Sequence, residues 1–256
     1  MTKVTVDERA LVRAIERANR AGRRQGERRA FERVLLGVAR RALAAEVDDV
    51  ATLVATVGPK RTMNLLPESA REAWGPRWRE NLSPVLEDIA QAATDPKATA
   101  TNNVLPRFDV TNPRMAAWFD SYTSELARTL SDTSYRNALE VIREGIDEGL
   151  SVDAISERLR ERLPELNRTR ADLIARTETH NATEGANMLQ ARESGVVSRK
   201  VWRTAGDERV RPEHRALAGQ EVEIDRPFSN GLDYPNQPGC RCTVEYVLSQ
   251  EFGGLR

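Results

Sequence analysis

Aromatic side chains make up only 5% of the 256 residues, and cysteine and histidine occur twice each. Hydrophobic residues reach 39% against 30% charged ones, a lean apolar share for a globular chain. Such a composition does not close one large core. It suits amphipathic helices that pack on each other or on a partner. No stretch approaches the roughly 20 consecutive apolar residues of a membrane span. The N-terminal stretch MTKVTVDERALVRAIERANR lacks an apolar signal core, so a secretory leader is not expected. Two cysteines spaced as Cys240-x-Cys242 cannot build a disulfide framework. The expectation is a soluble protein kept in a reducing compartment. There is no Gly-rich phosphate loop, since Gly253-Gly254 sits near the end of the chain. No nucleophile elbow is present, and no second carboxylate pair is spaced to hold two ions.

The net charge of +0 argues against a general polyanion binder, but it hides an asymmetry. Residues 1–45 carry twelve Arg and Lys against five acids. Arg20, Arg23, Arg24, Arg28 and Arg29 form the densest part of this arm. It reads either as a solvated helix face or as a surface for nucleic acid or an acidic partner.

Helical periodicity runs over 6–57 through Leu11, Ile15 and Ala18, then Phe31, Leu35, Val38 and Ala42. Gly22 and Gly26 predict a break, and Gly58-Pro59 a stop. A further helix is expected over 67–80, and Ser83-Pro84 reads as a cap opening a helix to Ala93. Residues 94–112 lose all periodicity. The division is therefore an N-terminal helical region (1–95), a linker (96–112), a domain over 113–248 and a tail (249–256). Asn112-Pro113 caps a helical stretch with a break near Ser131-Asp132 and an end at Gly149. Ser151 caps a short helix to Leu163, Pro164 interrupts, and a long helix runs from Arg168 to Ser194 and Gly195. Strands are expected at 198–204 and 220–224, a short helix over 212–218 closed by Gly219, and a strand from Cys240 to Leu248. The fold class is mainly α with a C-terminal α+β unit, long amphipathic helices leading into a small antiparallel sheet.

On the long helix, Ala171, Ile174, Ala175, Ala182, Gly185, Ala186 and Leu189 fall in one apolar arc, with Glu178 near its centre. Glu178 is therefore expected to be buried, and His180 to be exposed on the opposite face. A buried carboxylate needs a partner. Arg203, Arg209, His214 and Arg241 are the candidates. Glu178 reads as a clamp between helix and sheet, or as a catalytic carboxylate.

Asp207, His214, Cys240 and Cys242 supply oxygen, nitrogen and sulfur donors in one small unit. A His with two thiolates starts a tetrahedral zinc site. An extended Cys-x-Cys sets its sulfurs ~7 Å apart along a strand, so sharing one ion needs a bend, which Pro238-Gly239 could provide. In the metal-free reading the cysteines are small buried apolar groups and His214 bonds Asp207.

The ordered combination Ile174-Ala-Arg176-Thr-Glu178-Thr179, Lys200-Val-Trp202-Arg-Thr204, Asp207-Glu-Arg209-Val-Arg211, His214, Gly219, Phe228 and Pro238-Gly-Cys240-Arg241-Cys242 resembles the phage Mu protein F-like family of minor head, or head-morphogenesis, proteins. The likeness covers about 113–248. Many relatives carry a Cys-x-x-Cys pair after the Asp-Glu-Arg segment and a His before the last Cys-Arg-Cys. The matching places here hold Arg211 with His214, and Gln237. The resemblance implies a structural virion or procapsid component assembled in the bacterial cytoplasm. It implies no enzymatic activity and no membrane. Its partners would be the portal protein, scaffold or major capsid protein, with DNA as a further partner of the basic arm. The alternative is a metal-dependent nuclease or toxin-like enzyme using Glu178, Asp207 and His214.

Overall fold

A computed structural model describes residues 25–95 and 108–249, with the side chains of the first helix from Arg28 onward. The expectations for residues 6–24, including Gly22, Arg20, Arg23 and Arg24, lie outside the described residues. So do most of the linker and the last seven residues.

The elements run α1 (Gln25–Val57), α2 (Pro59–Ser69), a π turn (Ala70–Trp74), α3 (Gly75–Ala93), α4 (Pro113–Asp147), α5 (Val152–Glu193), β1 (Val197–Arg203), α6 (Pro212–Arg215), β2 (Glu221–Glu223) and β3 (Thr243–Leu248). The chain is mainly helical with a small C-terminal sheet. Among the described residues no helix is long and apolar enough to cross a membrane.

Gly58 separates α1 from α2 at φ 80°, a backbone state that favours glycine. Asn112 caps α4 through the amides of Arg114 and Met115, at 2.9 and 3.3 Å. Ser151 caps α5 through the Ala154 amide at 3.2 Å. These are the predicted helix starts.

Three expected interruptions are absent. Helix runs from Pro59 to Ala93 with only the π turn inside it, and Ser83-Pro84 lies within α3. The reason is a buried row at four-residue spacing, Leu66, Ala70, Trp74, Trp78, Leu82, Leu86 and Ala90, which passes straight through the proline. The π turn, in which the Gly75 amide reaches the Ala70 carbonyl, offsets part of the drift such a row accumulates in a helix of 3.6 residues per turn. α4 is also unbroken at Ser131, whose hydroxyl bonds the Ala127 carbonyl at 2.9 Å and stays inside the helix. α5 passes through Pro164. An interior proline costs about 3 kcal/mol, and Leu159 and Leu163 before it and Ala171 and Ile174 after it are all buried.

The packing forms two units that do not follow chain order. One comprises Glu32–Val85 and Ala116–Ala175; the other takes Leu86–Met115 and the chain from Arg176, with the described residues up to Phe31. In the first, Glu46 lies at 3% exposure among apolar residues. It accepts the Trp78 indole and the Ser134 hydroxyl, both at 2.5 Å. Arg170 donates to Ser134 at 2.8 Å. Burial pushes the Glu46 carboxyl up to about 7, against the hydrogen bonds and the Arg170 charge.

The second unit contains the sheet, ordered β2-β1-β3 and antiparallel throughout. β1 is central, pairing Val201 with Glu221 and Trp202 with Val244. The Cys240–Cys242 segment is not part of the strand, which begins at Thr243. Lys200 on β1 is fully buried, 3.3 Å from Asp233 and 5.3 Å from the Phe228 ring centre. Arg192 also binds Asp233, at 2.9 Å.

Candidate metal centre

The second half of α5 is buried almost all round: Thr177, Glu178, Thr179, His180, Asn181, Ala182 and Glu184 are all buried. His180, expected on a solvent face, is 2% exposed. A helix enclosed on several sides has no outward face, so the apolar arc did not mark the boundary of burial. Glu178 is buried, as expected. Its carboxyl lies 3.5 Å from the Asn181 amide group. Three of the four partners expected for it hold other groups. Arg203 binds Glu245, Arg241 binds Asp207, and His214 binds Gln237. Arg209 is exposed.

Thr177, His180 and Glu184 recur at helical spacing and share one face. That face meets the segment leading into β3. The Gly239 amide donates to the Thr177 hydroxyl at 2.9 Å, and the Val244 amide donates to Glu184 at 3.2 Å. Between these two anchors on the helix stands the buried His180, which acts to lower the Cys240 thiol. Burial holds the Glu184 carboxyl above its usual range, opposed by His180, the Val244 amide and Arg28.

Across from this face stands His214. Pro212 opens α6 and fixes its first turn. The indole of Trp202 meets the His214 ring edge-on, centres 5.2 Å apart. Gln237 Oε1 lies 2.7 Å from His214 Nε2. With the carbonyl oxygen accepting, Nε2 carries the proton and Nδ1 presents its lone pair. Nδ1 is 3.4 Å from Cys240 Sγ and 3.6 Å from Cys242 Sγ. The Cys242 amide turns back onto Cys240 Sγ at 3.4 Å, the bend that sharing one ion requires. The donor atoms of His214, Cys240 and Cys242 lie within 4.8 Å of one another, and all three residues are buried. Both cysteines are free. The Cys242 thiol, bonding to it, lowers the Cys240 thiol below its usual range, with burial opposing and His180 assisting. The same bond, then burial, pushes Cys242 up.

Asp207 is outside this cluster. It is exposed and makes two 2.6 Å bonds with Arg241, which lower its carboxyl below the usual range. His214 therefore does not bond Asp207, correcting the metal-free expectation. The pair ties the 207–211 loop to the cysteine segment, and Arg211 adds a 2.5 Å bond to the Pro238 carbonyl. Trp202 is fully buried, and Gly219, at φ 80°, returns its amide to the Trp202 carbonyl at 2.9 Å. Arg176 is exposed. Of the basic arm, Arg29 is exposed, while Arg28 faces the Glu184 charge.

His180, Glu184 and Lys200 were missed as site or core groups. The sequence signal for the first two was the polar row Thr177, His180, Glu184, readable only once the helix is known to be enclosed. Lys200 gave none, because its partner Asp233 is 33 residues away.

The enclosed helix, the three-stranded sheet and the Cys-x-Cys segment lie largely within the part of the chain that sequence comparison matches. Residues 136–245 match the family described as Phage Mu protein F like protein. Among curated proteins, the chain is 29% identical over 133 residues to the minor head protein GP7 of Bacillus phage SPP1, covering 47% of this chain and 43% of that protein. It is 25% identical over 189 residues to the uncharacterized protein YqbB of Bacillus subtilis, 68% of this chain and 60% of that one. A match of 29% over 152 residues to the NAD(+)–arginine ADP-ribosyltransferase EFV of Enterococcus faecalis covers 54% of this chain and 29% of the enzyme. The chain thus spans 29% to 60% of the length of these relatives. No solved structure matches significantly.

Proposed function

We propose that the chain is a minor head protein of a tailed bacteriophage, acting structurally in head morphogenesis. The observation that carries this reading is the family match over 136–245 together with the alignment to a minor head protein. The proposed setting is the procapsid, assembled in the bacterial cytoplasm and retained in the virion. The proposed partners are the portal, scaffold or major capsid protein, contacted through the basic N-terminal region around Arg20, Arg23, Arg24, Arg28 and Arg29. DNA is the competing partner for that arm.

The nuclease or toxin-like alternative needed Glu178, Asp207 and His214 around one metal. Asp207 is instead exposed and engaged by Arg241, and the converging donors are His214, Cys240 and Cys242. We read the ADP-ribosyltransferase match as a shared domain in a longer protein, since it covers 29% of that enzyme.

Mass spectrometry of intact particles with crosslinking tests the proposal. Crosslinks from the basic region to portal or capsid protein support it, and absence of the chain from heads and procapsids overturns it. A truncation at residue 95 is a poor test, because Glu32–Val85 packs with Ala116–Ala175. Removing residues 1–24 with the exposed Arg29 changed to Glu is better. Lost incorporation supports docking through this region; unchanged incorporation removes it. A plasmid-nicking assay on purified protein covers the enzyme alternative, and nicking lost in His214→Ala would replace the structural reading. Affinity of the arm for DNA that falls steeply with salt would reassign it to nucleic acid.

A further inference from the structure

We propose that His214, Cys240, Cys242 and His180 form a four-ligand site for a thiophilic divalent cation, with His180 from α5 as the fourth ligand. Three observations carry this.

The first is spacing. At zinc–sulfur and zinc–nitrogen distances of about 2.3 and 2.0 Å, tetrahedral geometry places sulfur and nitrogen roughly 3.6 Å apart. The two sulfurs stand 3.4 and 3.6 Å from His214 Nδ1. Both sulfur–nitrogen separations fit one shared ion, and all three donors lie within 4.8 Å of one another.

The second is orientation. Gln237 engages Nε2 of His214 at 2.7 Å and so leaves Nδ1 as the lone-pair donor, the outer partner a metal-bound histidine normally has. The Cys242 amide points at Cys240 Sγ at 3.4 Å. An amide donor at the sulfur favours the thiolate form that a cation requires.

The third is an unmet need. His180 Nε2 is buried and has no hydrogen-bond partner, as is Trp202 Nε1. An imidazole nitrogen enclosed in this way loses solvation without recompense. His180 is placed for the role by its own helix, because Thr177 and Glu184, one turn before and one after, hold the backbone on either side of Cys240. His180 lies outside the three-residue cluster, so binding draws its ring in to close the fourth position. Loading releases the two thiol protons to solvent as both sulfurs become thiolates.

This reading is independent of the head-assembly role. The test is a cobalt(II) titration of the reduced full chain, followed by zinc displacement. One equivalent of cobalt should give the visible bands of a tetrahedral ion with a thiolate charge-transfer band, and zinc should abolish both. X-ray absorption of the zinc-loaded unaltered chain should show two sulfurs and two imidazoles. His180→Gln should weaken cobalt binding at least about tenfold, the lower bound for disturbing even an outer partner. Cys240→Ser should remove the charge-transfer band. Failure of the unaltered chain to take up cobalt or zinc stoichiometrically overturns the site. Two sulfurs with a single imidazole, or unchanged affinity and spectrum in His180→Gln, overturns the role of His180. The absorption measurement needs no variant, so a misfolded mutant cannot decide the question.

Discussion

The hydroxyl of Thr177 accepts the amide of Gly239 at 2.9 Å, fixing the cysteine segment to one face of α5. The sequence separation is 62 residues, so this one bond positions a distant loop relative to the helix. Thr177→Val keeps the shape and removes the acceptor. We expect a loss of about 1–2 kcal/mol, the cost of leaving a part-buried amide unpaired. Denaturant unfolding measures the loss, and faster hydrogen exchange at Gly239 localises it. Unchanged exchange there would show that the bond does not hold the loop.

Glu46 makes stability depend on pH in a defined direction. Its carboxyl is raised from 4.5 to about 7 by burial, so between these values the folded state binds more protons than the unfolded one. Full stability is present at the acid end, and it falls as pH rises through the window. The loss is of order 3 kcal/mol by linkage. Glu46→Gln should match the parent near pH 4, exceed its stability near pH 8 and flatten the slope between. Thermal melts across that range check this, and parallel curves would refute it.

At Gly145, α4 packs closely against Ile155 of α5. A Cβ built there meets Ile155 Cγ1 at 2.7 Å, and Ile155 is fully buried. Alanine gains about 1 kcal/mol in helix propensity but overpacks a branched side chain, at about 1–3 kcal/mol. Gly145→Ala should therefore destabilise by roughly 1 kcal/mol. In an Ile155→Ala background the same change should stabilise. Loss of that sign reversal in a double-mutant cycle would place the crowding elsewhere.

Lys200 is buried with Asp233 beside it. Desolvation holds its amine below the ordinary value, against the Asp233 charge. Asp233→Asn leaves the buried cation short of its counter-charge and should cost roughly 2 kcal/mol. That is below the figure for a fully buried pair, because Asp233 is partly exposed. Adding Lys200→Met should recover most of the loss. A double variant no more stable than Asp233→Asn would show that Arg192, not Lys200, depends on this carboxylate.

The helix starts at Asn112 and Ser151 and the glycine end at Gly195 were legible because each depends on residues close by. The interruptions expected at Ser83-Pro84, Ser131 and Pro164 rested on equally local rules and were overridden. Leu82 and Leu86, or Leu163 and Ala171, bury their side chains on both flanks, and that gain outweighs a missing amide. The site divides in the same way. His214, Cys240 and Cys242 were identifiable as donors by chemistry alone, and Pro238-Gly239 raised the prospect of a bend. A single arc of apolar residues predicts a solvent-facing His180, but that arc is not the only buried side of α5. The Thr177 and Glu184 contacts that enclose it come from residues about 60 positions later, and no local pattern records them.

Glu184 has one more effect. β3 is an outer strand, and its Val244 amide is taken by a carboxylate on α5, not by a neighbouring backbone. A side chain thus occupies a position where a foreign strand would have to register. That plug limits unwanted ribbon-to-ribbon association, and lateral growth of the sheet stops at a helix.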